Sequence, residues 1–222
     1  MIQKSRIFEV YEEKAKKTVL FTKNLLPGQA VYTEKLVQQQ GIEYRQWIPE
    51  KSKLAAMIMK GALNIGIRKG DVVLYLGCST GTTPSHVSDI IANDGFLFGV
   101  DSSARVLREF VFLCEKRKNI TPLLENANDP ESFRDKVCEV DALYQDVAQR
   151  NQAEIFLKNA RMFLKKGGFA ILAVKSRSID VTMKPKQVFS DVKMRLEKEL
   201  TIVDYRALDP YEIDHAMFIC KK

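Results

Sequence analysis

The sequence lacks several features that define common protein classes. Its 222 residues contain no apolar run that approaches the roughly 18 residues of a membrane-spanning helix. The four cysteines have no paired spacing, which argues against a disulfide framework or a zinc site, so we expect no bound metal. No internal repeat and no low-complexity tail is present. These absences exclude membrane-spanning, disulfide-rich and repeat proteins.

The first residues, Met-Ile-Gln-Lys-Ser-Arg, are not followed by the apolar core of a signal peptide. Together with unpaired cysteines, this predicts a cytoplasmic or nuclear protein, of which we favour the cytoplasmic one. The composition, 45% hydrophobic and 28% charged, is ordinary for a globular chain. The formal net charge of +7 favours polyanionic partners, of which RNA or DNA is the first candidate. Lysines that merely face solvent are the alternative explanation of this charge.

One stretch predicts a ligand site. Val72–Leu76 is an unbroken apolar run typical of a strand buried in a parallel sheet. Gly77 and Gly81 bracket a turn after it, and Thr82–Pro84 opens a helix. A phosphate-binding P-loop would need a lysine here, and the dinucleotide fingerprint would need glycine where Ser79 stands. The turn therefore suits a ligand with a carboxylate and a ribose, such as S-adenosylmethionine, or it is an ordinary turn between strand and helix.

The next two strands end in polar residues. Phe96–Asp101 is apolar up to its last residue, and Asp101 stands about 20 residues beyond the glycine turn, where a carboxylate binds ribose hydroxyls. Ile120–Leu124 follows, and Asn126 comes after it. Asn126 either offers an amide to an adenine edge or is a turn residue.

Two charged residues follow the fourth and fifth strands. Val140–Tyr144 precedes Asp146, and Phe169–Val174 precedes Lys175. Open α/β sheets place their chemistry at the carboxyl ends of the strands, and these two strands should be neighbours. We therefore expect Asp146 and Lys175 to form a functional pair, with a purely structural ion pair as the alternative.

The rest of the chain predicts two domains. Residues 1–50 contain short apolar or alternating runs separated by turns, which indicates a small antiparallel β domain with Ala30–Val37 among its strands. Residues 51–222 form an α/β domain with a mostly parallel sheet whose last strand is antiparallel. Ser52 is expected to cap its first helix, with helical spacing continuing to Ile65.

Five motifs stand out along the chain. They are Leu74-Tyr-Leu-Gly-Cys-Ser-Thr-Gly-Thr-Thr83, Ser85-His-Val-Ser-Asp89, Gln145-Asp-Val-Ala-Gln149, Ala173-Val-Lys-Ser-Arg-Ser-Ile-Asp180 and Pro210-Tyr-Glu-Ile-Asp-His-Ala216. Together they resemble fibrillarin, most closely its short archaeal form. The early Thr22-Lys-Asn-Leu-Leu-Pro-Gly28 matches too, and there is no Gly/Arg-rich leader of the eukaryotic kind.

The resemblance implies a Rossmann-like S-adenosylmethionine-dependent methyltransferase fold with a small N-terminal β-rich domain. It implies methylation of ribose 2′-hydroxyls in rRNA, and in archaea tRNA, within a box C/D ribonucleoprotein. The guide RNA of that particle selects the target. The implied partners are the guide and target RNAs, a coiled-coil scaffold protein and, indirectly, a protein that binds the kink-turn.

The resemblance also implies site residues. The implied cofactor contacts are Gly77, Ser79, Gly81, Thr82, Thr83, Asp101, Ser102, Asn126, Ala127, Asp146, Val147, Ala148 and Gln149. The implied catalytic residues are Lys53, Asp146, Lys175 and His215. Family members usually carry Glu-Phe at positions 101 and 102 and Asp at position 126, so we expect altered cofactor affinity and retained activity.

Two other functions compete with this prediction. One is a non-catalytic RNA-binding scaffold of the same fold, although both Asp146 and Lys175 are present. The other is methylation of protein side chains. In the favoured mechanism, Lys175 positions the target hydroxyl, and Asp146 holds that lysine and the sulfonium side of the cofactor.

Overall fold

The computed structural model describes all residues, Met1–Lys222, and contains two β-sheets. The first is an antiparallel sheet of five strands in the order β1-β2-β3-β5-β4. Its strands are β1 (Ile2–Lys4), β2 (Val10–Lys14), β3 (Thr18–Lys23), β4 (Leu36–Gln39) and β5 (Ile42–Trp47). The expected antiparallel sheet at the start of the chain is therefore present.

The second sheet has seven strands in the order β11-β12-β10-β9-β6-β7-β8. Its strands are β6 (Val72–Leu76), β7 (Phe96–Asp101), β8 (Ile120–Leu124), β9 (Val140–Gln145), β10 (Leu164–Lys175), β11 (Thr201–Ala207) and β12 (His215–Lys221). The five strands from β6 to β10 run parallel, and β12 lies antiparallel between β10 and β11. This is the mixed methyltransferase-type sheet that the sequence predicts.

Helices cover both faces of the second sheet. They are α1 (Lys53–Met59), α2 (Thr82–Ile91), α3 (Ala104–Lys116), α4 (Gln152–Phe163), α5 (Ser176–Ile179) and α6 (Pro185–Leu196). Helices α1, α2 and α3 bury apolar side chains in one core, which continues into the first sheet through Leu20 and Trp47. Helices α4 and α6 pack in a second core on the other face. None of the helices combines the length and the apolar content that crossing a bilayer requires.

Helix α1 is shorter than its hydrophobic spacing predicts. Ser52 caps it as expected, with its hydroxyl accepting from the Ala55 amide at 3.4 Å. The helix ends at Met59 instead of Ile65 because Gly61 adopts a left-handed conformation with φ of +90°. The Gly61 and Ala62 amides fold back onto helical carbonyls, which is the Schellman arrangement. After Gly61, Ala62 and Ile65 still reach the core without helical structure, whereas Leu63 is exposed.

The predicted strand at Ala30–Val37 is mostly a loop, and only its end belongs to β4. The cause is Glu34, whose carboxylate accepts from the amides of Val31 and Tyr32 at 2.7 and 2.8 Å. Local side-chain bonds of this kind compete with a sheet ladder for the backbone. They also turn the Glu34 carboxylate inward.

A layer of polar side chains, all buried except the half-buried Tyr32, joins the first sheet to α2, and we call it the seam. It consists of Thr22, Tyr32, Glu34, Arg45, Trp47, Ser85, His86, Ser88, Asp89, Arg117 and Asn119. The His86 ring stacks on Trp47 at 4.9 Å between centroids. Both nitrogens of this ring have partners, Thr22 Oγ1 at 2.8 Å and Tyr32 Oη at 2.6 Å.

Candidate active site

The glycine turn after β6 approaches the end of β9 closely. Gly77 has φ of +82°, and a Cβ atom there would overlap the carbonyl group of Asp146. Gly81 is also left-handed, with φ of +94°, and caps α2. Only glycine combines this backbone conformation with such close packing, so the turn needs both residues as they stand.

Asp101 holds the middle of this turn. Its Oδ2 accepts from the Ser79 amide at 3.0 Å, and its Oδ1 accepts from the Ser103 amide at 2.9 Å. Ser79 has a positive φ of 50°, which is uncommon for a residue with a side chain. A carboxylate has about four lone-pair positions, so Asp101 retains acceptors for ligand hydroxyls.

A cavity of about 280 Å³ opens at the carboxyl ends of β6, β7, β8 and β9. Its lining residues are Gly77, Ser79, Val100, Asp101, Ser102, Glu125, Asn126, Ala127, Asp146, Val147, Ala148 and Gln149. The structure thus brings together nearly all of the cofactor contacts that the sequence predicts.

Three of the predicted contacts lie outside this lining. Gly81 and Thr82 begin α2 beyond the cavity wall. Thr83 is buried, and its hydroxyl donates to Ser52 Oγ at 3.0 Å. Thr83 therefore links α2 to the cap of α1 instead of facing a ligand.

Sequence reasoning missed Glu125, which stands beside Asn126 in the cavity wall. The hydrogen bond from Lys136 lowers the pKa of Glu125, which keeps this carboxylate charged. Its only signal in the sequence is its place directly after β8. Asn126 uses its carbonyl oxygen to accept from the Asn128 amide at 3.0 Å, so it is a turn residue whose NH₂ group is available.

The four residues with implied catalytic roles, Lys53, Asp146, Lys175 and His215, share one face of the sheet, and we call this group the mouth. Side chains alternate between the faces of a strand. Asp146, Lys175 and His215 each lie two positions along the chain from a core residue on the α1 face. These core residues are Tyr144, Ala173 and Met217, respectively. Lys53 is the first residue of α1 itself.

The ion pair of the mouth joins Asp146 to Lys53, and the expected pair with Lys175 is absent. Lys53 Nζ lies 2.8 Å from Asp146 Oδ2. The strand register explains the difference, because Leu172 of β10 pairs with Gln145 of β9. Lys175 lies three residues beyond this pair on its strand, whereas Asp146 lies only one residue beyond it. The two extra residues carry Lys175 about 7 Å further along the strand direction.

Lys53 is charged at neutral pH. Burial on its own lowers the pKa of Lys53, but the charge and hydrogen bond of Asp146 outweigh burial, and the pKa lies above its ordinary value. Lys175, by contrast, is exposed, and its ammonium has no protein partner. Its pairing partner on the neighbouring strand β12 is His215.

His215 has a defined tautomer. Its Nδ1 lies 2.7 Å from the carbonyl oxygen of Ile213, and because a carbonyl only accepts, Nδ1 carries the hydrogen. The Glu212 carboxylate lies 3.7 Å from the same nitrogen. The other nitrogen, Nε2, is left as an acceptor in the neutral ring.

Comparison with known proteins identifies the family. The family model of fibrillarin matches residues 1–222. The chain belongs to the fibrillarin family. A fibrillarin-like rRNA/tRNA 2′-O-methyltransferase of Pyrococcus abyssi is 51% identical over 201 residues, which is 90% of this chain and 88% of that protein.

Solved fibrillarins have the same fold as this family member. The fibrillarin of Aeropyrum pernix, solved with natively bound S-adenosyl-L-methionine, is 42% identical with a TM-score of 0.92. The match covers 99% of this chain and 97% of that one. A fibrillarin solved in complex with Nop5p is 40% identical, with a TM-score of 0.87 over 96% of this chain and 97% of that one.

Proposed function

We propose that this protein transfers a methyl group from S-adenosylmethionine to ribose 2′-hydroxyls of rRNA and tRNA. The observation that carries the proposal is the position of Asp146, which both lines the cavity and binds Lys53 in the mouth. A ligand in the cavity and a ribose at the mouth would therefore meet at this carboxylate. The activity of the Pyrococcus relative supports the same reaction.

The residues of the cavity fit the cofactor. Asp101 has lone pairs left for ribose hydroxyls, and Asn126 has a free NH₂ group for a ring nitrogen of adenine. Bare backbone at Gly77 permits close approach, and Asp146 is a carboxylate that suits a cationic sulfonium. The natively bound S-adenosyl-L-methionine of the Aeropyrum fibrillarin supports this assignment.

The cofactor supplies an electrophilic methyl group, so the protein's task is to align the 2′-oxygen and to accommodate the hydroxyl proton. Alignment of this kind is worth up to roughly 7–11 kcal/mol. Lys53, being protonated, holds Asp146 in place and cannot act as a base. Lys175 donates to the target nucleotide, and its strand neighbour His215 has Nε2 left to accept a hydrogen bond.

We further propose that the enzyme acts within a box C/D particle. The Nop5p complex of the related fibrillarin supports a coiled-coil scaffold partner, through which a kink-turn protein and the guide RNA join the assembly. The net charge of +7 provides sequence-independent attraction to phosphates, which leaves target choice to guide pairing. The division into domains at residue 50 and the cytoplasmic location stay predictions.

Two measurements test the proposal. Calorimetry should detect S-adenosylmethionine binding to the chain without RNA, and no binding at millimolar cofactor would overturn the cofactor assignment. Tritiated methyl transfer should then occur to a guide-paired RNA with a 2′-hydroxyl at the target, in the presence of the scaffold and kink-turn proteins. A 2′-deoxy target is the matched control and should stay unlabelled.

The remaining outcomes separate the competing functions. Cofactor binding without transfer to any RNA would indicate a scaffold that has lost turnover. Label in a protein component of the particle would indicate a protein methyltransferase. Efficient site-specific labelling by the purified chain alone would refute the need for a guide.

A further inference from the structure

The seam reaches the first turn of α2, which directly follows the glycine turn. Arg45 of β5 donates from Nη2 to Ser85 Oγ at 3.0 Å. Ser85 Oγ in turn donates to the Thr82 carbonyl at 2.8 Å. Because a guanidinium only donates, the Ser85 hydroxyl proton is committed to Thr82. A side chain of the first sheet thus fixes a backbone group at the start of α2.

Arg45 is itself fixed from two sides. Its Nε and Nη2 donate to Glu34 Oε1 at 2.9 and 2.8 Å, and its Nη1 donates to Asp89 Oδ2 at 2.8 Å. The side chains of all three residues have no exposed surface. A buried guanidinium with this many partners has one position, and it presents Nη2 to Ser85 without adjustment.

A second arginine holds α2 and shares Asp89 with Arg45. Arg117, which follows α3, donates from Nη1 to Asp89 Oδ1 at 2.7 Å and to Ser88 Oγ at 3.0 Å. Asn119 also exchanges hydrogen bonds with Ser88. These contacts hold the middle of α2, and Arg117 also donates to the main-chain carbonyl of Ser85 at 3.2 Å. The Ser85 hydroxyl, by contrast, contacts only Arg45 and Thr82.

We infer that Arg45 and Ser85 are positioning residues for the cofactor cavity, through which the N-terminal sheet sets the geometry of the glycine turn. Asp101 holds Ser79 in the middle of that turn, and the bonded Ser85 holds the backbone at Thr82, where the turn joins α2. Ser79 lines the cavity and Thr82 does not, so the position of Thr82 acts on the cavity through the short backbone between these two residues. The inference rests on the proposed cofactor and assigns the first sheet a part in binding it.

Ser85 and Ser88 provide a matched test. Both are fully buried serines of α2 in the same seam, and only Ser85 contacts Arg45 and Thr82. We expect Ser85→Ala to weaken S-adenosylmethionine binding by about tenfold, and Ser88→Ala to change it by less than about twofold. Calorimetry measures both, and thermal unfolding confirms that each variant is folded.

A second readout separates positioning from general loss of stability. In the assembled particle, Ser85→Ala should raise the KM for the cofactor by about the same factor and lower kcat by no more than about twofold. Equal affinity changes in the two variants, with wild-type binding intact, would overturn this inference alone. A wild-type chain that does not bind the cofactor would overturn the proposed function and this inference with it.

Discussion

The molecule places ion pairs at two depths. In the seam, the side chains of Arg45 and Glu34 have no exposed surface, and two arginines face two carboxylates. At the mouth, the Lys53 and Asp146 side chains remain 20% and 27% exposed, and Lys175 has no partner. The comparison indicates that buried charges held in ion pairs fix the architecture. Partly exposed charges that still have hydrogen-bonding groups free are the ones that can contact a substrate.

The largest effect should come from breaking the seam. Arg45→Met leaves Glu34 and Asp89 buried with part of their partners missing, and loss of one member of a buried pair costs about 3–5 kcal/mol. Urea unfolding should show this loss in the free energy of unfolding. Lys69→Met is the control, because Lys69 and Asp94 are half-exposed and such pairs contribute about 0–1 kcal/mol. If Arg45→Met and Lys69→Met lower the free energy of unfolding equally, buried and exposed ion pairs do not differ in their contribution to stability.

The next effect concerns Lys175 at the mouth. Lys175→Ala should lower the single-turnover rate of methyl transfer by about 100-fold or more, since a positioned proton-handling or donor group contributes at least this much. Cofactor affinity should stay within about threefold, because Lys175 is not among the residues that line the cavity. A variant that unfolds at a lower temperature but still turns over at the wild-type rate would contradict the catalytic assignment.

Asp146 should behave differently from Lys175. Asp146→Ala removes a residue of the cavity wall and leaves Lys53 unpaired, so both cofactor affinity and rate should fall, the affinity by about tenfold or about 1.4 kcal/mol. Lys53→Met, which removes only the partner, should weaken binding less. If Lys53→Met and Asp146→Ala weaken binding equally, the pair acts as a unit and Asp146 has no contact of its own with the cofactor.

The last effect is a pH dependence that belongs to the seam. Burial, followed by the charges of Arg45 and Arg117, lowers the pKa of His86 well below its ordinary value of about 6.5. Below that pH the unfolded chain binds a proton that the folded chain refuses, so stability falls as pH falls. From about pH 7.5 to about pH 5.5 the loss should be about 1.4 kcal/mol.

Urea unfolding at the two pH values measures this loss, and His86→Gln is the control. The variant should be less stable at both values but should lose the dependence over this interval. The groups that face the ring are Thr22, Tyr32, Arg45, Trp47 and Arg117, and no carboxylate hydrogen-bonds to it. If the variant keeps the wild-type dependence of unfolding free energy on pH, a group other than His86 is responsible for it.

Local patterns predicted the strands and the cavity well. The apolar runs at Val72–Leu76 and Phe96–Asp101 match β6 and β7, and polar residues after them do line the cavity. The predicted helix α1 is too long because the hydrophobic spacing continues past Gly61, where the backbone adopts a left-handed conformation. Spacing reports which side chains are buried and does not report the conformation that buries them.

Contacts between distant parts of the chain could not be predicted in the same way. Lys53 and Asp146 are 93 residues apart, and Arg45 and Asp89 are 44 apart. The predicted partner of Asp146 was wrong because neighbouring strands specify adjacency but not register. Thr22 and the run Ser85–Asp89 belong to the motifs that resemble fibrillarin, but nothing in the sequence indicates that their side chains meet in one buried layer.

Trp47 is the only tryptophan of the chain, and it lies fully buried in the seam against the His86 ring. Its emission therefore reports on that one place. Entry of water around the indole shifts the emission to longer wavelength. The protein thus contains an intrinsic optical probe, without any label, that distinguishes separation of the first sheet from rearrangements at the mouth.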